Sequence, residues 1–142
     1  METRGTKLEY DRRSALLLGM TGAAALFGCD LSALAEDVNF TRLTSMQLAA
    51  MLLHKNFFFV NVHTPYEGEI KNTDAFIVYD KISQNLDKLP GDMDAEIVLY
   101  CRSGRMSEIA ARELTLLGYT RVSHLSGGMN DWKKNGYEVI EK

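Results

Sequence analysis

One cysteine of the chain stands where a nucleophile would be placed. Residues 97–100 (IVLY) predict a buried strand, and Cys101 opens the segment CRSGRMS that follows it. A helix is predicted directly afterwards. Its N-terminus carries partial positive charge, which lowers the pKa of a nearby thiol. Because the thiolate is the form that attacks, Cys101 is predicted to be a nucleophile.

The residues after the cysteine suit the binding of an anion. Arg102 and Arg105 carry permanent charge that attracts an oxyanion, and Gly104 lets the chain bend tightly. A curled run of backbone N–H groups forms an anion cradle. The candidate substrate-binding residues are therefore Arg102, Ser103, Gly104, Arg105, Met106 and Ser107. The alternative, a buried filler cysteine at a strand end, would not need these neighbours.

The elements that must position this loop alternate along the chain. Apolar runs predict strands at 40–43, 57–62, 97–100 and 122–125, with a shorter run at 76–78. Helical patterns predict helices at about 45–55, 80–89, 107–117 and 129–135. Alternating strands and helices indicate an α/β fold with a mainly parallel central sheet and helices on both faces. Ligands bind such sheets at the carboxyl ends of the strands, where Cys101 is placed.

Local signals define two of the predicted helices. Thr44 and Gln47 have the spacing of a capping box, which would begin the first helix. Gly118 stands where a glycine commonly ends a helix. On the helix before it, we expect an inward face made by Ile109, Ala110, Leu114 and Leu117.

Composition limits the function classes. The 142 residues have a net charge of -3, with 46% hydrophobic and 25% charged residues, which is typical of one globular domain. No basic excess is available for a phosphate backbone, so nucleic acid is not an expected partner. The three histidines are widely spaced, and we predict neither a metal site nor a cofactor.

Residues 1–35 are predicted to be an export signal, and residues 36–142 the domain. Arg12-Arg13 precedes an uncharged stretch at 15–27, too short to span a bilayer, which takes about 20 residues. Ala33-Leu34-Ala35 then provides an A-x-A cleavage site. The arginine pair resembles a twin-arginine signal.

Two processing sites remain open. Cleavage after Ala35 would release a soluble chain with Cys101 as its single thiol, whereas residues 26–29 (LFGC) resemble a lipobox that would anchor Cys29 to lipid. Both predict an exported protein of the periplasm or cell envelope that meets a membrane only through the signal or a lipid anchor. The third alternative is an N-terminal helix packed on the domain.

Residues 97–139 resemble the rhodanese homology family. The family pattern is a strand, C-R-S-G, an alanine-rich helix, L-x-x-x-G-Y, a strand and G-G-x-x-x-W. The matching residues are Cys101, Arg102, Ser103, Gly104, Leu114, Gly118, Tyr119, Gly127, Gly128 and Trp132. Upstream, residues 60–67 (VNVHTPYE) are similar to the family's D-V-R-x-P-x-E-[FY]. The resemblance covers about residues 40–140.

The resemblance implies a single-domain sulfurtransferase. Cys101 would take a sulfane sulfur from a small donor such as thiosulfate, hold it as a persulfide, and pass it to cyanide or a thiol. The backbone of residues 102–107 would stabilise the persulfide and the oxyanion. Such two-step covalent catalysis predicts ping-pong kinetics.

Three positions and one segment depart from the family pattern and bear on the choice of donor. Met106 stands where many members have Arg, and Asn61 and His63 replace the Asp and Arg of D-V-R. His63 follows the second predicted strand, and we expect it to order a loop near the active-site rim. Residues 68–73 (GEIKNT) replace the usual G-H-I-P-G-A.

Two other functions compete with the sulfurtransferase. A cysteine phosphatase or arsenate reductase would need C-x5-R to fork an arginine onto the oxyanion, but position 107 is Ser. A carrier or partner-binding module would use the same fold to hold a persulfide without rapid turnover. Activity that depends on Cys101 distinguishes catalysis from binding alone.

Overall fold

The structure is a computed structural model that describes residues 38–141. Its strands are β1 (Thr41–Leu43), β2 (Phe58–Asn61), β3 (Ala75–Phe76), β4 (Glu96–Tyr100) and β5 (Arg121–Leu125). Its α-helices are α1 (Ser45–Leu52), α2 (Arg105–Leu116) and α3 (Gly128–Lys134). Two 3₁₀ segments, Tyr79–Gln84 and Leu86–Lys88, lie between β3 and β4.

The five strands form one sheet in the order β1-β5-β4-β2-β3, and every neighbouring pair is parallel. Asn61 pairs with Tyr100, so β2 and β4 end side by side. Leu99 pairs with His124, which places β5 on the other side of β4. The predicted α/β fold with a parallel central sheet is confirmed.

Both faces of the sheet are covered, as predicted. On one face, Ile97 and Leu99 pack with Ala110 and Leu114 of α2 in one buried cluster. On the other, Val98 packs in a second cluster that includes residues of α1 and α3: Leu48, Met129 and Trp132. Strands buried on both faces need continuous apolar runs, which explains the sequence IVLY.

The local helix signals form the caps they predict. The hydroxyl of Thr44 accepts the Gln47 amide, and the Gln47 side chain accepts the Thr44 amide, which completes the capping box of α1. At the end of α2, Gly118 has φ +108°, and the amide of Tyr119 donates to the carbonyl of Leu114. This is the left-handed termination that favours glycine.

The predicted helix at 80–89 is wrong. Asn85 donates from its side chain to the carbonyl of Lys81 at 2.8 Å. That carbonyl is the one that an α-helix would pair with the Asn85 amide, which instead bonds to Ile82. Asparagine side chains compete with the backbone in this way, so the segment divides into two 3₁₀ turns.

The inward face of α2 was predicted correctly only in part. Ala110 and Leu114 are buried, together with Ala111 and Ser107, but Ile109 and Leu117 are exposed. Leu117 lies just beyond the helix, where the chain turns at Gly118. The predictions made for residues 1–35 lie outside the described residues. Within residues 38–141, no helix combines the length and apolar character needed to cross a membrane.

Candidate active site

Cys101 lies immediately after β4, at the carboxyl edge of the sheet, and is 1% exposed. The loop that begins at Cys101 is held by hydrogen bonds from the start of α3. The amide of Met129 donates to the carbonyl of Cys101 and that of Asn130 to the carbonyl of Arg102, both at 2.9 Å. The start of α3 therefore fixes the backbone on which the thiol stands.

Two groups contact the sulfur through hydrogen bonds. The amide of Gly104 donates to Sγ at 3.0 Å, and Ser107 Oγ lies 3.6 Å from Sγ. Of the predicted cradle at 102–107, Gly104 supplies the one backbone donor to the sulfur among the described residues. The Gly104 amide donates to the sulfur, whereas the Ser107 hydroxyl accepts from the thiol and donates to the carbonyl of Gly104 at 3.1 Å.

The sulfur also faces the first turn of α2. Gly104 is the N-cap of this twelve-residue helix, with φ +98°. Within residues 38–141, the amides of Arg105 and Met106 have no backbone acceptor. Free amides and the helix dipole together attract negative charge at this point.

The side chains predicted to bind substrate divide into two groups. Gly104 and Ser107 are buried beside the sulfur, whereas Arg102, Ser103 and Arg105 are exposed. Met106 is half-buried and packs against the core cluster of α2, so only its backbone remains for an anion. The structure therefore separates a buried sulfur site from an exposed cationic rim.

Arg102 is not free at the rim. Its Nη1 lies 3.5 Å from Glu67 Oε2, and the same oxygen lies 3.2 Å from His63 Nε2. His63 is buried, whereas Arg102 and Glu67 are exposed. Among the described residues, Arg105 forms no ion pair, so its charge is available to an incoming anion.

The loop after β2 is ordered by one buried amide side chain. Asn61 is fully buried, donates from Nδ2 to the carbonyl of Gly68 at 2.9 Å, and accepts the His63 amide at 3.0 Å. Asn61 therefore fixes the turn that carries His63 and Glu67 to the rim. His63 lies in this loop near the rim, as expected, but the side chain that orders the loop is that of Asn61.

Sequence reasoning missed His124, which is 1% exposed in β5. Its Nδ1 lies 2.9 Å from Ser107 Oγ, the hydroxyl that also faces the cysteine sulfur. Burial is the main cause that lowers the pKa of His124; Arg42 adds to the effect, and Glu108 opposes it. The available signal was a titratable residue in an otherwise apolar stretch of a buried strand.

Within residues 38–141, no group of three His, Cys, Asp or Glu side chains is arranged to hold a metal ion. The chemistry that these residues offer is that of a sulfur nucleophile. An ionised sulfur beneath a helix N-terminus attacks an electrophile, and an exposed guanidinium guides an anion toward it.

Comparisons with known proteins show which sequences and structures this chain resembles. The family described as the Rhodanese-like domain matches residues 48–135. A protein of Erwinia tasmaniensis named tRNA uridine(34) hydroxylase is 30% identical over 110 residues, which cover 73% of this chain and 31% of that protein. A protein of Allochromatium vinosum named Sulfurtransferase is 38% identical over 55 residues, which cover 39% of this chain and 50% of that protein.

The similarity extends to solved structures. The crystal structure of a rhodanese-like domain protein from Staphylococcus aureus matches with a TM-score of 0.61 and 26% identity. The match covers 72% of this chain and 99% of that one. The matched residues span 31% of the Erwinia relative and 50% of the Allochromatium relative, so this chain covers at most half of the length of either.

Proposed function

Because the chain belongs to the rhodanese-like family, we propose that it is a sulfurtransferase that carries sulfane sulfur as a persulfide on Cys101. The observation that carries the proposal is the polar surrounding of Sγ: the Gly104 amide donates to it at 3.0 Å, and the Ser107 hydroxyl lies 3.6 Å from it. Together with the N-terminus of α2, they stabilise negative charge on this sulfur. The Allochromatium relative named Sulfurtransferase supports the same class.

The first half-reaction loads the cysteine. The Cys101 thiolate attacks the outer sulfur of thiosulfate, and a sulfur–sulfur bond forms as the bond to the sulfonate sulfur breaks. Sulfite leaves with the electron pair of that bond. The free amides at the start of α2 and the charge of Arg105 stabilise the anionic donor as it approaches.

The second half-reaction unloads it. Cyanide or an acceptor thiolate attacks the outer sulfur of the persulfide, and thiocyanate or a new persulfide forms. The electron pair of the broken bond returns to Cys101 Sγ, which leaves as a thiolate. The Gly104 amide and the Ser107 hydroxyl then stabilise the leaving thiolate as they did the attacking one.

Cyanolysis tests the proposal. Purified protein is mixed with thiosulfate and cyanide, thiocyanate is measured, and Cys101→Ser is compared with Cys29→Ser, which removes the other cysteine of the chain. We expect Cys101→Ser to abolish thiocyanate formation and Cys29→Ser to retain it. After thiosulfate alone, intact mass should show an added ~32 Da that Cys101→Ser lacks. Equal rates in both variants would refute the proposal.

A persulfide carrier without turnover is the second candidate, and its supporting observation is the burial of Cys101. A carrier would gain the mass of one sulfur but release thiocyanate once only. An enzyme would show many turnovers with parallel double-reciprocal lines, the signature of a ping-pong mechanism. Phosphate-ester hydrolysis with no added sulfur would instead support the phosphatase.

We also propose that residues 1–35 direct export of the protein to the periplasm or cell envelope. The sequence basis is Arg12-Arg13, the uncharged stretch and Ala33-Leu34-Ala35. Intact mass of the protein recovered from the cell envelope distinguishes an N-terminus at Glu36 from a lipid-modified Cys29. Recovery of the full chain from the cytoplasm would refute export.

A further inference from the structure

Three buried side chains connect β5 to the cysteine. His124 Nδ1 lies 2.9 Å from Ser107 Oγ, and Ser107 Oγ lies 3.6 Å from Cys101 Sγ. Each of the three residues is at most 1% exposed. Whether the hydroxyl donates to the sulfur or to the imidazole depends on whether the facing imidazole nitrogen carries a hydrogen.

Ser107 has one hydrogen to donate and three neighbours to choose from. The carbonyl of Gly104 lies 3.1 Å from Oγ, closer than the sulfur, but it also accepts the amide of Glu108 at 3.0 Å. If His124 Nδ1 were a bare acceptor, it would compete for the hydroxyl hydrogen. If Nδ1 carries a hydrogen, it occupies a lone pair of Oγ, and the hydroxyl hydrogen remains available for Gly104 or Sγ.

The surroundings of the other ring nitrogen, Nε2, indicate which nitrogen of His124 carries the hydrogen. Nε2 of His124 is buried and has no hydrogen-bond partner among the described residues. A hydrogen on Nε2 would therefore be an unpaired buried donor, which is rarer in proteins than an unpaired acceptor. The neutral form with its hydrogen on Nδ1 avoids that cost.

Charged and aromatic groups surround the His124 ring. Arg42 of β1 stands opposite His124 in the pairing of β1 with β5, and Glu108 of α2 is near enough to influence the charge of the ring. Phe40 meets the ring edge to face, and the guanidinium groups of Arg42 and Arg112 lie over Phe40. Burial dominates and lowers the pKa of the ring, so the imidazolium is disfavoured.

We propose that His124 is a positioning residue for the nucleophile, whose Nδ1–H bond to Ser107 leaves the serine hydroxyl free to donate to the Cys101 thiolate. In the thiol form, S–H donates to Oγ and the hydroxyl donates to Gly104. When hydroxide takes the proton of the S–H bond, the electron pair stays on Sγ and the hydroxyl hydrogen turns from Gly104 to Sγ. The same donation stabilises Cys101 when it leaves from the persulfide.

The proposal rests on the proposed function for its purpose, but its test measures thiol ionisation and needs no turnover. In a Cys29→Ser background, the thiolate absorbance of Cys101 is followed against pH, which requires no reagent to reach the buried sulfur. Alkylation rate by iodoacetamide against pH provides a second readout. Both report the midpoint of one thiol.

Two substitutions of His124 test whether its role is to donate a hydrogen bond to Ser107. Asparagine has an amide nitrogen on the same carbon as Nδ1, so His124→Asn keeps a donor toward Ser107, whereas His124→Leu keeps none. We expect His124→Leu to raise the Cys101 midpoint by about one pH unit and His124→Asn to leave it within a few tenths. Ser107→Ala should raise the midpoint equally, and His124→Leu added to it should change nothing further.

Each other result overturns the proposal. An unshifted midpoint in Ser107→Ala would remove the hydroxyl from the ionisation. A shift in His124→Asn as large as in His124→Leu would mean that the imidazole acts as a proton acceptor instead. If His124→Leu does not fold, Ser107→Ala and His124→Asn still carry the test. Shifted midpoints with no thiocyanate formation would refute the sulfurtransferase and leave the positioning role in place.

Discussion

Two loops leave the same edge of the sheet from neighbouring strands, and different kinds of hydrogen bond fix them. The loop after β4 carries Cys101 and is fixed by backbone amides donated from α3. The loop after β2 is fixed by the side chain of Asn61, which holds Gly68 and His63. Because Asn61 and Tyr100 pair, the two loops start side by side and meet at the rim.

The difference shows which parts of the site tolerate change. In the cysteine loop, Gly104 and Gly128 lie against the backbones of Ser126 and Arg102, so neither position has room for a Cβ. In the Asn61 loop, the exposed side chain of Glu67 meets Arg102 at the surface. We infer that the first loop sets the reactivity of the sulfur and that the second tunes the charge that a donor meets.

The largest effect is expected from crowding the cysteine loop. A Cβ at Gly104 would collide with the carbonyl oxygen of Ser126, and φ +98° is a conformation that alanine rarely adopts. Gly104→Ala should therefore displace the amide that donates to the sulfur and reduce kcat/KM for cyanolysis roughly 1,000-fold, the upper range for one misplaced donor.

Gly91→Ala is the matched control, because a Cβ there meets nothing within 4 Å. Its cyanolysis rate should equal that of the unmodified chain. A Gly104→Ala protein with full activity would show that the loop does not set the reactivity of Cys101.

The next effect tests the Asn61 loop through stability. Asn61→Leu would leave the Gly68 carbonyl and the His63 amide unpaired in a buried place, at about 1–3 kcal/mol each. Urea unfolding should show a loss of roughly 2–6 kcal/mol, with kcat changed less than by Gly104→Ala. Asn56→Leu, at an exposed position, should leave the unfolding midpoint unchanged. Equal midpoints for both variants would contradict this role of Asn61.

A smaller effect is expected in the pH dependence of the unfolding free energy, to which only the surroundings of the cysteine loop should contribute through His124. The folded pKa of His124 is lowered, mainly by burial, so below pH 6.5 the unfolded chain binds more protons than the folded one. This stability is present above pH 6.5 and is lost as pH falls toward the folded pKa, at up to ~1.4 kcal/mol per pH unit. The loop after β2 is held by an amide that does not titrate.

Unfolding free energy measured between pH 7 and pH 5 tests this, with His124→Asn as the comparison. The asparagine variant should lose less stability over that interval than the unmodified chain. Parallel pH profiles would mean that His124 titrates alike in the folded and unfolded states.

The smallest effect is expected at the rim. Glu67→Gln removes the carboxylate that lies 3.5 Å from Arg102, so the guanidinium becomes available to an anionic donor. Exposed pairs contribute ~0.2–1 kcal/mol, which predicts a KM for thiosulfate that is lower by about 1.4- to 5-fold and an unchanged kcat. The change should shrink as salt is added.

Glu141→Gln provides the control, since Glu141 pairs with Lys133 at another exposed site. Its KM should not move. A higher KM in Glu67→Gln would show that Glu67 places Arg102 for the donor instead of neutralising it.

The sequence by itself predicted a nucleophile at Cys101 and determined the class of fold. Apolar runs such as residues 97–100 mark strands covered on both faces, and the residues that follow Cys101 are adjacent along the chain. Capping signals at Thr44 and Gly118 likewise depend on neighbours a few positions away. Local patterns of this kind can be interpreted without knowing which strands pair.

Only the tertiary structure decided which residues of other strands and loops lie near Cys101. The sheet order places β5 beside β4, and that neighbour brings His124 to Ser107, 17 residues away along the chain. The carboxylate of Glu67 meets Arg102 only because β2 lies on the other side of β4. Several apolar strands of similar length pair equally well on hydrophobicity, so the pairing, and with it the partners of Cys101, follows from the packing of the whole domain.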